Sequence, residues 1–127
     1  MMSYNMDIRG SGGTASMGRH TTLGSPVAAV QEFMFHLSHG SLPGLYDLLP
    51  AHVVRQLGRD ALAAVFSSAT MHIRRRGGLK QVTCSGDAGE GGEALVNVLM
   101  TFADSTVGRS MLVVVREQGR WRVDLAR

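Results

Sequence analysis

The sequence has little or none of what several specialised classes of protein require. Its 127 residues contain one cysteine, Cys84, so an internal disulfide framework is excluded, and no group of Cys and His has zinc-site spacing. The longest apolar runs, such as residues 111–115, are far shorter than the roughly 20 residues of a membrane helix. The N-terminus lacks the apolar segment of a secretory signal. These absences predict a cytoplasmic protein with no metal, no other cofactor and no membrane partner, unless a longer native sequence carries a signal or lipid anchor.

Aromatic residues are also few, at 6%, and lysine is nearly absent, since twelve of the thirteen basic residues are arginine. Hydrophobic residues at 44% and charged residues at 18% are typical of one globular domain of this length. The arginine bias indicates GC-rich bacterial coding. Residues 74–76 are all arginine, but the net charge of +3 is modest and no aromatic residues interleave the run to stack on bases. We interpret the run as a solvated helix end, so no nucleic-acid partner is predicted.

The first part of the chain predicts a leader followed by helices. Residues 1–24 are glycine-rich without apolar periodicity and predict a flexible leader, and residues 25–127 predict a single domain. Ser25 and Pro26 form a sound helix start, and Gly40 is a natural left-handed end. A short helix is predicted within 41–50 and a third helical region over 51–76, broken at Gly58. The apolar stripe of its longer piece consists of Leu62, Val65, Phe66, Ala69 and Ile73.

The second part changes to a period of two and predicts antiparallel strands. Strands are expected over 79–85, 94–103, 107–117 and 120–126, with a glycine-rich loop at 86–92. Gln118 and Gly119 predict a two-residue hairpin turn. The links are too short for crossover helices, so the class is α+β, with N-terminal helices on a curved antiparallel sheet of about four strands. In the hairpin register, residues that share one face and should cover the helices are Leu112, Val114, Trp121, Val123 and Leu125.

The opposite face of that hairpin is still half apolar. Met111, Val113 and Val115 form an apolar column beside Arg122 and Asp124, whereas a free antiparallel sheet usually has a polar outer face. An exposed apolar patch on a sheet often marks an association surface. The sequence therefore predicts a homodimer packed through the sheet, with coverage of this face by the leader or a loop as the alternative.

The order of these elements resembles the nuclear transport factor 2-like superfamily, which includes the SnoaL-like proteins. The resemblance runs over residues 26–126. PVAAVQEFMFHLSHGSLPGLYDLL looks like the opening helix, turn and short second helix, ALVNVLMTFADSTVGRSMLVVV like the paired long strands, and EQGRWRVDLA like the closing hairpin. Within the superfamily it is most similar to small bacterial domains without an assigned function. The resemblance implies a cone-like α+β domain, a dimer, and a pocket between sheet and helices. Superfamily members include isomerases, dehydratases and non-catalytic modules, so the fold does not select the function.

Catalytic groups are poorly represented in this pattern. The enzymes that the sequence resembles place an Asp or an Asp–His pair in the pocket, where an apolar wall tunes its pKa. Here the acidic residues fall at turns, loops and the outer face, so no catalytic residue is carried over. His36, beside Phe33 and Leu37 on the first helix, is a weak candidate for proton transfer.

We therefore interpret the chain as a non-catalytic binding or interaction module for a small apolar ligand. The ligand is expected to enter between the helices and the inner sheet face, near Phe33, His36, Leu37, Phe66 and Trp121. Two alternatives stay open. One is a SnoaL-like isomerase or hydro-lyase that uses His36, and the other is a structural accessory subunit whose interior is filled by its own side chains.

Overall fold

A computed structural model of the chain describes residues 2–7, 24–88 and 90–126. Four helices are α1 (Pro26–His39), α2 (Leu42–Asp47), α3 (Ala51–Leu57) and α4 (Arg59–Arg75). Five strands are β1 (Met2–Asp7), β2 (Leu79–Ala88), β3 (Glu93–Phe102), β4 (Val107–Glu117) and β5 (Arg120–Asp124), with a 3₁₀ turn at Glu90–Gly92 between β2 and β3. The helices precede β2–β5, as the sequence predicts for an α+β domain.

Helix α1 begins and ends where its sequence signals predict. Ser25 is extended, and its hydroxyl accepts a hydrogen bond from the Ala28 amide at 3.1 Å, which satisfies a donor that the helix leaves free. Pro26 occupies the first turn, where a missing N–H costs nothing. At the other end Gly40 takes a φ of 69°, a left-handed conformation that glycine adopts without strain. The helix buries its apolar residues against the sheet.

Helix α4 differs from the predicted stripe at one position. Leu62, Phe66 and Ile73 are buried as expected, but Val65 is 58% exposed, so its assignment to the core is wrong. Thr70 is buried instead, and its hydroxyl donates to the Leu37 carbonyl of α1 at 2.8 Å. The hydrogen bond allows a polar side chain to replace an apolar one at the contact with α1.

The sheet is antiparallel throughout, in the order β1-β2-β3-β4-β5. The predicted hairpin register is confirmed, because Glu117 pairs with Arg120 and Val114 with Val123. The sequence expectation of about four strands omitted β1, which lies within the segment interpreted as a flexible leader and pairs with β2. Residues 8–23 of that segment lie outside the described residues.

Strand β2 also extends three residues beyond the predicted end, to Ala88, and includes a glycine assigned to the loop. Gly86 pairs with Val96, and a β-carbon there would lie 2.5 Å from the Leu95 carbonyl oxygen. Only glycine permits that backbone approach. Gly86 therefore allows close backbone pairing between β2 and β3 and does not form a turn.

The inner face of the sheet carries the core, and the predicted division into two faces is largely confirmed. Residues fully buried against the helices include Val82, Cys84, Val96, Val98, Val114 and Val123. Asp124 was expected on the outer face but its side chain is only 1% exposed. The reason lies at the edge of the sheet, where the Val123 amide donates to the Leu48 carbonyl at 2.7 Å and the α2–α3 connection covers the end of β5.

Candidate functional site

A cavity of about 950 Å³ opens between helices α1 and α4 and the inner face of strands β3 and β4. Its walls are mostly apolar, and they include Phe33, Met34, Phe66, Ile73, Met100 and Phe102. Two structural features shape it. Phe33 and Phe66, which both line it, meet edge to face with their ring centroids 5.9 Å apart. Gly108 lies beside Met100 and Phe102, whose side-chain atoms occupy space 3.3 Å from where a β-carbon would sit.

Three of the five predicted pocket residues line this cavity. Phe33 and Leu37 reach it from α1 and Phe66 from α4, because the apolar stripes of the two helices converge above the sheet. His36 and Trp121 do not line it. The cavity is displaced from the expected entry point towards the C-terminal half of α4.

His36 lies on another side of α1. Its imidazole packs over Gly44 of α2, where a β-carbon would lie 2.6 Å from the ring atoms Cγ and Cε1. Its Nε2 is 3.6 Å from the Glu32 carboxylate one turn earlier on the same helix. The structure thus places His36 in the contact between α1 and α2, away from the cavity.

Trp121 is a core residue rather than a cavity residue. It is buried, and the Arg116 guanidinium lies 5.8 Å from its ring centroid, a cation–π contact at the sheet surface. Its position on β5 is as the hairpin register predicts. The cavity, however, is bounded by β3 and β4, with only Leu125 contributed from beyond the end of β5.

A polar group of residues at the mouth of the cavity was missed by the sequence analysis. Ser68 and His72 on α4, and Arg76 directly after its last residue, follow one another at four-residue intervals and all line the cavity, together with Ser110 of β4. This spacing places them on one helix face. The four-residue spacing is visible in the sequence, but the prediction of a solvated run over residues 74–76 is wrong for Arg76, which is half-buried and lines the cavity.

The guanidinium of Arg76 is held by three contacts. Nε donates to His72 Nε2 at 3.2 Å, and Nη1 donates to the Thr106 hydroxyl at 2.7 Å. The guanidinium also lies 5.3 Å from the centroid of the Phe102 ring, within cation–π range. Arg76 is half-buried, and its fixed position gives the mouth a defined positive charge.

Asp104 completes this network from the turn between β3 and β4. Its Oδ1 accepts from both the hydroxyl and the amide of Thr106. These hydrogen bonds, with a smaller contribution from the charge of Arg76, lower the pKa of the Asp104 carboxyl below its ordinary value. The turn is also tied to the end of α4, since the Asp104 amide donates to the Arg76 carbonyl at 3.0 Å.

A second polar cluster joins the α2–α3 region to the edge of the sheet. His52 Nε2 lies 3.2 Å from the buried Asp124 carboxylate, and Arg120 Nη2 lies 3.2 Å from Asp47. Arg122 Nε is 3.1 Å from the Glu117 carboxylate, although the pair is not aligned as a hydrogen bond. Across the described parts of the chain, no group of three or more His, Cys, Asp or Glu could hold a metal ion. The cluster's contacts are those of a structural connection.

The outer face of the sheet carries the residues predicted for the dimer interface. Met111 is 59% exposed, whereas Val113 and Val115 are half-buried. Leu95 pairs with Val113 across β3 and β4 and is exposed, as is Leu99 farther along β3. The structure therefore adds two leucines to the apolar column that the sequence analysis identified.

Two further predictions from the sequence concern the reactivity of Cys84 and the presence of a membrane-spanning helix. Cys84 is fully buried in β2, and burial raises the pKa of its thiol to about 12, so at neutral pH the group is an unreactive thiol. No helix among residues 24–88 and 90–126 is both long and apolar enough to cross a membrane.

Comparison with known proteins supports the architecture. No protein-family model and no curated protein matches the chain. Among solved structures, the chain is similar to a Campylobacter jejuni protein, provisionally described as an NTF2-like transpeptidase and determined at 2.00 Å resolution. The TM-score is 0.72 at 17% sequence identity, and the match covers 80% of this chain and 99% of that chain. The chain therefore has the nuclear transport factor 2-like fold, as its sequence resemblance implied.

Proposed function

We propose that this domain is a binding module that takes a small, largely apolar ligand into the cavity between α4 and the inner face of the sheet. The observation that carries the proposal is the cavity itself. Its volume of about 950 Å³ is within the range of roughly 300–1,000 Å³ that is usual for small-molecule sites. Apolar walls with a few polar groups at the mouth are the common composition of such sites.

The rim of the cavity supports the same conclusion. Val65 on α4 and Val107 on β4 both line the cavity, and each is 58% exposed. Exposed apolar side chains at a concave mouth lose contact with water when a ligand enters, which favours binding by about 25 cal/mol for each Å² covered. This space between the described helices and the sheet supports a bound ligand over the alternative of a structural subunit with a self-filled interior.

Filling the cavity tests the proposal with a matched control. Ala69 of α4 lines the cavity, while Ala61 is exposed on the same helix and does not line it. The neutral dye Nile red should bind the native protein, with a rise in its fluorescence. Ala69→Phe should weaken this binding at least tenfold, because the new ring occupies ligand space, whereas Ala61→Phe should leave it unchanged. Equal binding by the two variants, both with native circular dichroism, would refute the proposal.

Transpeptidase chemistry, which the description of the similar Campylobacter jejuni protein raises, has no specific support in this cavity. A nucleophilic enzyme needs a hydroxyl or thiol beside a base that activates it. Cys84 is buried away from the cavity, and His72 Nε2 accepts from Arg76. In the described part of the chain, neither Ser68 nor Ser110 forms a hydrogen bond with an imidazole. These contacts favour binding over covalent catalysis.

A further inference from the structure

We propose that the mouth of the cavity recognises a carboxylate, with Arg76 as its receptor, so that the ligand is an amphipathic acid with its apolar chain in the cavity. This inference rests on the proposed binding function and specifies the class of ligand. It follows from the donors left on Arg76, the charges around it, and the shape of the apolar space below it.

The Arg76 side chain has N–H groups that make no hydrogen bond to the described residues, and its conformation is already restricted. A guanidinium carries five N–H donors, and His72 and Thr106 accept from two of them. No other described residue accepts from the remaining three, which can bind a ligand at the mouth, where Arg76 is a lining residue. The contacts with His72, Thr106 and Phe102 already restrict the side chain, so an incoming group need not order it. A planar fork of donors matches a carboxylate better than it matches a hydroxyl or an amide.

Among the described residues, no carboxylate pairs directly with the guanidinium, although Asp104 is close enough for the charge of Arg76 to contribute to its lowered pKa. No Asp or Glu lines the cavity among the described residues. Asp104 is the acid nearest to Arg76 in the hydrogen-bond network, and its Oδ1 accepts from Thr106 rather than from the guanidinium. Arg76 is thus oriented through a neutral hydroxyl, and none of its donors is hydrogen-bonded to a carboxylate in the described part of the chain. A cationic ligand would be disfavoured at the same position.

The apolar space extends away from this charged end. The lining residues run from Ala64 on α4 to Arg76 at its C-terminal end, a separation of twelve residue steps and about 18 Å at about 1.5 Å per residue. Arg76 lies at one end of that line, and Phe66, in contact with Phe33, lies towards the other end. A ligand with one charged end and a flexible hydrocarbon chain fits this distribution of polar and apolar surface.

Three probes that share a ten-carbon alkyl chain but differ in the charge of the head group separate recognition of that charge from binding of the alkyl chain. Decanoate and decyltrimethylammonium, below their micelle concentrations, and 1-decanol, below its solubility limit, are titrated into the native protein, and binding is followed by displacement of Nile red. Decanoate should bind about ten- to a hundredfold more tightly than decanol, as expected for a charge-assisted hydrogen bond, and decyltrimethylammonium should bind most weakly. Equal affinity for decanoate and decanol would overturn the carboxylate inference while leaving the binding function intact.

Variants identify the residue responsible. Arg76→Gln should lower the affinity for decanoate about tenfold and leave the affinity for decanol unchanged. Arg109 also lines the cavity but is exposed, so Arg109→Gln should lower the affinity for decanoate less than Arg76→Gln does. Arg75→Gln is the matched control, because Arg75 is exposed on the same helix and does not line the cavity, and it should change neither affinity. The same effect from Arg76→Gln and either of the other two variants would overturn the role of Arg76.

The remaining outcomes are also decisive. If Arg76→Gln unfolds, Arg76→Lys keeps the charge but loses the planar fork, and its preference for decanoate over decanol should be smaller than the native one. An undiminished preference would contradict recognition by the fork. Failure of all three probes to displace Nile red, together with insensitivity of Nile red binding to Ala69→Phe, would instead overturn the proposed function itself.

Discussion

The contact between His36 and Gly44 predicts that Gly44→Ala destabilises the native protein but stabilises a protein that already carries His36→Ala. Gly44 lies inside α2, where alanine is favoured over glycine by up to about 1 kcal/mol. In the native protein, however, a β-carbon at Gly44 would lie 2.6 Å from Cγ of His36. Because Cγ is the ring atom nearest the backbone, turning the ring about χ2 does not relieve the clash, and the whole side chain must move. Overpacking of this kind costs about 1–3 kcal/mol.

In the native protein, the free-energy cost of the clash with His36 is therefore larger than the gain from replacing glycine by alanine in a helix. With a mid-range clash of about 2 kcal/mol and a helix preference of about 0.5–1 kcal/mol, Gly44→Ala should lower the free energy of unfolding by about 1 kcal/mol. In a His36→Ala background the obstructing ring is absent, and the same substitution should raise it by about 0.5–1 kcal/mol. The two substitutions should thus show a coupling energy of about 2 kcal/mol, within the range seen for residues in contact.

Urea unfolding followed by far-ultraviolet circular dichroism measures this cycle directly, because a stability change shifts the midpoint at constant slope. His39→Ala is the control background, since His39 is on the same helix but exposed. There Gly44→Ala should remain destabilising. The same sign and size of effect in the native and His36→Ala backgrounds would refute the packing role assigned to His36.

Three further predictions concern the sheet and its turns. The Cys84 thiol, with its pKa raised to about 12 by burial, should react with Ellman's reagent only on unfolding, and rapid labelling of the native protein would contradict its burial. If the outer face joins two copies, Val113→Asp should yield monomers by size-exclusion chromatography while Asn97→Asp on the same face should not, and an unchanged elution volume for both would count against this interface. Asp104, whose folded pKa is lowered, contributes stability above its unfolded pKa of about 3.9 that is lost as pH falls through the folded value. Asp104→Asn should thus be less stable than the native protein at pH 6, with the difference narrowing in acid, and a constant difference would contradict the assignment.

Local signals in the sequence were sufficient for most of the secondary structure. The start of α1 depends on two adjacent residues, Ser25 and Pro26, and its end on Gly40 alone. The hairpin between β4 and β5 depends on Gln118 and Gly119, both of which adopt positive φ. Such signals act within a few residues, so they can be recognised before the tertiary structure is known. Strand β1 lacks them, because its place depends on pairing with β2, far along the chain.

The candidate site depended on contacts that no local signal encodes. His36 and Leu37 are neighbours in sequence, but successive side chains on a helix are about 100° apart. Leu37 faces the cavity, while His36 faces α2. The sequence could place both near the edge of the apolar stripe, but which side α2 would cover is decided by the turn at Gly40 and by packing of the whole domain.

The same angular argument explains why Arg76 was not distinguished from the arginines before it. In a run of three, each side chain points about 100° from the last, so the three cannot share one environment. Arg74 contributes to a separate small pocket near Gly40, Arg75 is exposed, and Arg76 lies at the cavity mouth. Successive charged residues at a helix end should therefore be assigned to separate environments according to their position around the helix, and not to a single charged patch. Counting back from Arg76 by fours reaches His72 and Ser68, the other polar residues that α4 contributes to the mouth, and this periodicity is the sequence signal for the site.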